Sequence, residues 1–295
     1  MTTVESDYYA FREFDRAAMK DGRSHYVQFF DAGPVLELAC GRGEFLELLA
    51  EAGIEGRGVD LDPGMVQICR AGGQEVDLGD ALEALAAQPD ASVRGLFCAH
   101  FLEHLPSERA EQVYRDAARV LEPGGTFVAV VPNMGSLSVL SYDFWRDPTH
   151  VRPYDPMVLA FFADQAGLQV AESGCNPRVD PGPPPHLWPL DPDPLPTLTD
   201  ELAALTNAVH VRHRRSRRHG LPLGIGRRAR ERDDEALELW RLLEAMIKRY
   251  DDSIQATQHH LYDLRSAYLK LLKQLYPPNE VFVVARKGSS PSPHD

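Results

Sequence analysis

The string Glu37-Leu38-Ala39-Cys40-Gly41-Arg42-Gly43 sets an acid in a short apolar run and follows it with two glycines. Glycines at such a strand-to-helix turn let a ligand approach the backbone, and an acid about 20 residues on, here Asp60, suits a ribose diol. Dinucleotide binding is one chemistry this arrangement allows. Against it, the spacing is not G-x-G-x-x-G, no third glycine packs the helix, and Glu37 would repel an incoming pyrophosphate. An acid at that strand end suits a cationic amino-acid ligand instead, its ammonium bound directly or through water. A second group comprises His100, Glu103, His104 and His150. Each histidine alone is as well explained by capping or packing. Converging on one crevice, the set would bind a divalent metal or supply a general base.

The elements that must position these residues are legible in the pattern. Val35 to Leu38 reads as a strand, and Phe45, Leu48, Leu49 and Ala52 as one face of a helix that Gly53 stops. Further strands end at Gly58-Val59-Asp60, begin at Val76 and run from Gly95 to Ala99 and from Thr126 to Val131, with helices between. Asp155-Pro156 reads as an N-cap followed by proline at the first helical position, and Gly167 ends that helix before Leu168. Strands alternating with helices at this spacing predict a doubly wound α/β core with a parallel sheet covered on both faces. His100 to His104 then lies just beyond the fourth strand, where such a fold places its ligand crevice.

At this point VLELACGRGEF resembles the first motif of the class I S-adenosylmethionine-dependent methyltransferases, carried by Glu37, Ala39, Gly41 and Gly43, with Ala39 in place of the usual first glycine. GVDLDPGMV resembles their second motif, which implies Asp60 on the ribose hydroxyls and Leu61 against adenine. VDLGDALEAL resembles the third, which implies Asp80 on the adenine amine with the Ala81 amide nearby. FCAHFLEHLP and LEPGGTFVAVVPN resemble the fourth strand and the turn after it, and His100 is grouped with the cofactor residues there. The resemblance covers residues 33–173 and the last strand. It implies a seven-stranded sheet of order 3-2-1-4-5-7-6, S-adenosylmethionine as cofactor, and a helical, coiled-coil-like insertion before the last strand. The expected division is an N-terminal helical lid over residues 1–32, a core of 33–173 and 280–288, and an insertion of 174–280.

On the acceptor side, adjacent Glu103 and His104 with the distant His150 resemble O-methyltransferases in which such residues hold Mg²⁺ against substrate oxygens. Mn²⁺, or His150 as a metal-free base, is equally open. The runs YYAFREFDRAAM, PNMGSLSVLSYDFWRDPTHVRPY and NEVFVVARKG look like bacterial polysaccharide methyltransferases, which implies a saccharide or glycan hydroxyl as acceptor. The weighed alternatives are a small-molecule acceptor such as a quinone precursor, an RNA acceptor, and a non-catalytic scaffold on a methyltransferase fold.

Composition constrains these readings. At 295 residues the chain is long for one domain and short for two, and 43% hydrophobic with 25% charged residues excludes wholesale disorder. No run approaches the roughly 18 apolar residues of a membrane helix, and the acidic start MTTVESDYYA lacks the basic stretch of a signal peptide. A cytoplasmic location is expected, with four separated cysteines reduced. The net charge of −13 argues against nucleic acid as partner, yet nine arginines from Arg212 to Arg232 face one acid, Glu231. That segment is expected to meet an anionic surface: a lipid at the inner membrane face, or a phosphate-bearing carrier. Nine prolines between Asn176 and Pro196 precede it. From 235 to 276 there is neither Gly nor Pro, and Trp240, Leu243, Ile247, Tyr250, Ile254, Leu261, Leu264, Tyr268, Leu271 and Leu275 keep heptad spacing. A coiled-coil seam is the expectation, either within the chain or between two copies in a homodimer, the alternative being a long helix lying on its own domain.

Overall fold

The computed structural model describes residues 15–179 and 225–289, with side chains of the second stretch from residue 237 onward. Its chain divides into two compact units, one of residues 1–184 with 272–295 and the other of residues 185–271. In the first unit a short helix α1 (Arg16–Ser24) precedes β1 (Val35–Leu38), α2 (Glu44–Glu51), β2 (Gly56–Asp60), α3 (Pro63–Ala71), β3 (Glu75–Leu78), α4 (Ala81–Ala87) and β4 (Val93–Ala99). Then follow α5 (Ser107–Val120), β5 (Leu121–Pro132), α6 (Pro156–Gln165), β6 (Leu168–Cys175), the long helix α7 (Ile225–Leu275) and β7 (Glu280–Lys287). The seven strands form one sheet in the order β3-β2-β1-β4-β5-β7-β6. β7 is antiparallel to both neighbours and the other pairings are parallel. This is the expected doubly wound sheet, with β7 closing it from the far end of the chain.

The central strands are apolar because both faces are covered. All four residues of β1 are buried. One face packs Leu36, Leu38, Leu96 and Phe127 against Val113, Tyr114 and Phe162 of α5 and α6; the other packs Val35, Phe97 and Val128 against Tyr26, Phe45 and Leu49. Helix ends follow their local chemistry. Asp62, Asp80 and Asp155 accept hydrogen bonds from the first-turn amides of α3, α4 and α6, and Pro63 and Pro156 occupy first-turn positions where no intrahelical donor is needed. At Gly53 the left-handed φ of 72° lets the Ile54 N–H return to the Leu49 carbonyl at 2.8 Å, which ends α2. α1 is pinned to α2 by Arg16–Glu47 and by Lys20–Glu51 at 2.7 Å.

Several boundaries differ from those read off the sequence. β6 reaches Cys175 rather than stopping at 173, its polar residues being carried by a ladder to β7 with an irregularity between Val170 and Glu172. β5 begins at Leu121, because Glu122 to Gly125 bulges within the strand instead of preceding it. α7 starts at Ile225, ten residues before the expected heptad start, and at 1.5 Å per residue its 51 residues extend about 76 Å. Of the heptad residues, Leu243, Tyr250, Leu261, Leu264, Leu271 and Leu275 are exposed, while Trp240, Ile247, Ile254 and Tyr268 are partly covered. No described helix is long and apolar enough to cross a membrane. The proline-rich stretch, most of the arginine-rich one and the aromatic N-terminus expected as part of a lid lie outside the described residues; α1 is the described part of that lid.

The core makes a direct stability prediction. Leu96 is fully buried in the central strand β4, so Leu96→Ala should cost about 3 kcal/mol, whereas Met157→Ala, at 81% exposure, should stay within about 0.5 kcal/mol. Urea unfolding of the two variants checks the contrast.

Candidate active site

A cleft of about 710 Å³ opens over the C-terminal ends of β1 and β4. The side of it expected to take a cofactor is built by the first turn. Ala39 has φ +54°, Gly41 φ +56° and Gly43 φ +77°, so the chain leaves β1 in a left-handed course. Alanine adopts that conformation at a cost of roughly 1–2 kcal/mol, where glycine would adopt it freely. Gly43 has a different reason to be glycine: a Cβ there would fall 2.1 Å from Gln74 Oε1. Beneath the turn lies Glu37, whose Oε2 is buried without a hydrogen-bond partner. Burial pushes its carboxyl well above the usual carboxylate range; Arg23 opposes the shift, and Glu44 and Asp60 add to it.

Asp60 caps this arrangement from β2. It accepts from the Gly41 N–H at 2.8 Å and the Asp62 N–H at 2.9 Å, each oxygen keeping further lone-pair capacity. Burial raises its pKa, and those two amides oppose the rise. Of the residues expected at a cofactor, Glu37, Ala39, Asp60 and His100 line the cleft. Gly41, Gly43, Leu61, Asp80 and Ala81 are outside its lining, although Leu61 is 71% exposed at the same end of the sheet. Asp80 uses Oδ1 to cap α4 through Leu82 and Glu83.

The acceptor side brings Glu103, His104 and His150 together. One ligand atom from each lies within 4.8 Å of the others, and the two imidazoles stack edge to face at 4.8 Å between centroids. Hydrogen bonds assign their tautomers. The Thr149 hydroxyl donates to Asp147 at 2.6 Å, so at 2.9 Å it accepts from His104 Nδ1–H. His150 Nδ1 lies 2.7 Å from the Phe144 carbonyl, which can only accept. In its neutral form each ring therefore carries its proton on Nδ1 and a lone pair on Nε2. Burial lowers the His150 pKa, which keeps the ring neutral. Glu103 is fully buried and its Oε2 has no partner.

Sequence reading missed the hub that joins the two sides. Glu280, first in β7, is buried and accepts from the Tyr26 hydroxyl at 2.8 Å and from the Asn176 amide at 2.5 Å, with Arg23 at 3.5 Å. His100 Nε2 lies 2.8 Å from its other oxygen, and His100 Nδ1 lies 3.2 Å from Glu103 Oε1. His100 thus pairs with both acids while also lining the cleft. Nothing in the local sequence around Asn279-Glu280 signals this, because all of the partners come from distant segments. Asp147 and Thr149 had a weak signal, standing in the same run as His150.

Comparison with known proteins agrees with this geometry. Residues 36–129 match the family model described as a methyltransferase domain. Over 96% of this chain and all of the other, the fold is similar to a SAM-dependent methyltransferase of Archaeoglobus fulgidus, with TM-score 0.62 and 24% identity. Residues 36–129 thus resemble a methyltransferase domain in sequence, and the chain shares the fold of that neighbour. Among curated relatives, a probable S-adenosylmethionine-dependent methyltransferase of Mycolicibacterium smegmatis is 32% identical over 139 residues, 47% of this chain and 53% of that protein. A ubiquinone biosynthesis O-methyltransferase of Xanthomonas oryzae pv. oryzae is 34% identical over 96 residues, 31% of this chain and 39% of that protein. The chain thus spans about half or less of the length of these relatives.

The His100 network predicts a pH response. Burial lowers the His100 pKa, but hydrogen bonds to Glu103 and Glu280 outweigh it and raise the value from 6.5 to about 9. Its stabilisation is therefore complete below about pH 6.5 and is lost as pH rises through about 9. Between pH 7 and 10 the urea midpoint of the wild type should fall further than that of His100→Asn; equal falls would contradict the assignment.

Proposed function

We propose that this chain is an S-adenosylmethionine-dependent O-methyltransferase acting on a hydroxyl of a small molecule. The observation that carries the reading is one cleft with an unpartnered buried carboxylate, Glu37, on one side and two unprotonated imidazole nitrogens, of His104 and His150, on the other. Glu37 suits the ammonium of the cofactor's methionine portion, and Asp60 suits its ribose hydroxyls. His150 Nε2 takes the acceptor's proton, the freed oxygen attacks the methyl carbon, and the carbon–sulfur bond breaks to give S-adenosylhomocysteine and a methyl ether. Asp147 lies 3.6 Å from that nitrogen and stabilises the imidazolium formed.

The acceptor class is where the initial saccharide expectation gives way to its alternative. Phe101, Val139 and Phe144 line the acceptor side, and apolar walls suit an aromatic ring better than a sugar, which needs polar ones. The relatives named for ubiquinone biosynthesis support the same choice. Glu103, His104 and His150 also fit a divalent cation, because one ligand atom of each lies within 4.8 Å of the others and the buried Glu103 keeps an unpartnered oxygen. Two nitrogens among three donors suit Mn²⁺ better than Mg²⁺. When bound, such an ion lowers the pKa of an acceptor hydroxyl. His150 then serves as ligand and not as base.

Two measurements test the reading. Because burial pushes the Glu37 carboxyl up, binding the cationic cofactor, which favours the ionised form, should release protons. The calorimetric binding enthalpy should then depend on the buffer, and Glu37→Gln should abolish that dependence and weaken affinity about tenfold or more; no binding heat at millimolar cofactor would sink the enzyme in favour of a scaffold. Next, methyl-labelled cofactor is incubated with catechols, oligosaccharides and RNA, with and without EDTA, using wild type and His150→Ala. Label should enter the catechols, and His150→Ala should lose about 100-fold or more. Transfer untouched by either change would remove the proposed chemistry, and transfer to glycan alone would restore the saccharide acceptor.

A further inference from the structure

A chain of contacts runs from the last strand to Glu103 and has no part in the reaction as just derived. Glu280 stands opposite Pro132 in the β5–β7 ladder, and its Oε1 is occupied by Tyr26 and Asn176. Its Oε2 faces His100 Nε2, while His100 Nδ1 faces Glu103 Oε1. Carboxylate oxygens only accept, so both ring nitrogens donate and the ring sits as a cation between two acids. The backbone under the ring is fixed as well. His100 has φ +53°, and its N–H reaches the Val130 carbonyl at 2.9 Å. Histidine is among the residues that tolerate this left-handed region better than most.

One oxygen of Glu103 is thereby committed, the other, Oε2, is unpartnered, and the carboxylate as a whole is grouped with His104 and His150. A glutamate side chain has several rotamers, and ordering it costs free energy unless a contact selects one. We propose that His100, anchored by Glu280, is a positioning residue that selects the Glu103 rotamer and so aims Oε2 at His104 and His150. The inference rests on the reading of that trio as the acceptor site. Glu280 acts one step further back, and neither residue touches the reacting atoms. β7, the last strand in the chain, thereby takes part in ordering a site otherwise built from β4 and the segment after β5.

Two substitutions separate the two contacts. The Asn side-chain nitrogen stands where Nδ1 stood, so His100→Asn keeps the donor to Glu103; Gln reaches the position of Nε2, so His100→Gln keeps only the donor to Glu280. Both variants, Glu103→Gln and the double variant His100→Gln/Glu103→Gln are compared with wild type. Crystal structures give the Glu103 side-chain position, and kcat and KM are measured for methyl transfer to 3,4-dihydroxybenzoate. Cofactor affinity serves as the check on folding. We expect His100→Asn within about threefold of wild-type kcat. His100→Gln should be about tenfold lower with cofactor affinity kept, with Glu103 displaced in its crystal and little further loss in the double variant. Equal rates for the Asn and Gln variants, full additivity with Glu103→Gln, or an unmoved Glu103 in the Gln variant would each overturn the proposal. A wild type that binds cofactor but leaves this phenol unmethylated would count against the proposed acceptor, and the crystallographic comparison would then decide the positioning role by itself.

Discussion

A buried carboxylate must be neutralised or hydrogen-bonded, since leaving it alone in an apolar interior costs several kcal/mol. Glu280 imposes that requirement at the head of β7, and four segments answer it: α1 through Arg23, the turn after it through Tyr26, the end of β6 through Asn176, and the end of β4 through His100. Together these contacts pull the Glu280 pKa down to about 2 against the burial that would raise it. The same residues border the cleft. Arg23 and His100 are part of its lining, and the Asn176 amide also holds the Gly22 carbonyl of α1 at 2.9 Å. The constraint that settles one acid therefore fixes the walls on both sides of the site.

Parallel strands that share a direction gather their C-terminal ends on one edge, and in this chain polar groups collect there: Glu37 with Ala39 after β1, Asp60 at the end of β2, and His100 after β4. This grouping explains why residues dozens of positions apart converge without direct bonds between them. It also separates two kinds of carboxylate. Asp60 is satisfied in part by Gly41 and Asp62, so it can exist ionised before a ligand arrives. Glu37 has an oxygen with no such support, which a donor or cation entering the cleft would supply.

The sheet order and most helix boundaries were legible because they rest on local patterns. Asp155-Pro156 and Gly53 announce a cap and a stop by their own backbone preferences, and the apolar run of β1 needs no partner to be recognised. His104 and His150 were legible as candidates because both follow strands at the end of the sheet where the fold places its crevice. Their tautomers were not, since these depend on Thr149 and on the Phe144 carbonyl, and only the fold sets those distances. Glu280 was illegible for the same reason carried further: its four partners lie between about 100 and 260 residues away in sequence. The heptads of α7 present the opposite case, a strong local pattern that specified the helix yet left unstated which of its faces is covered.

The asymmetry between the two ends of the cleft bears on what kind of transfer the site favours. At one end, the unpartnered Glu37 oxygen, once ionised, disfavours an anionic ligand such as a pyrophosphate and favours a cationic one. At the other end, neutral imidazoles accept a proton without a large change in their surroundings, because Asp147 already lies beside His150. A transfer that begins with a cationic donor and a neutral hydroxyl and ends with a neutral thioether and an imidazolium moves positive charge across the cleft from the sulfonium to His150. On the proposed reading Asp147 lies beside the imidazolium that the transfer forms, Glu37 stays with the ammonium of the cofactor's methionine portion throughout, and the net charge within the cleft is unchanged.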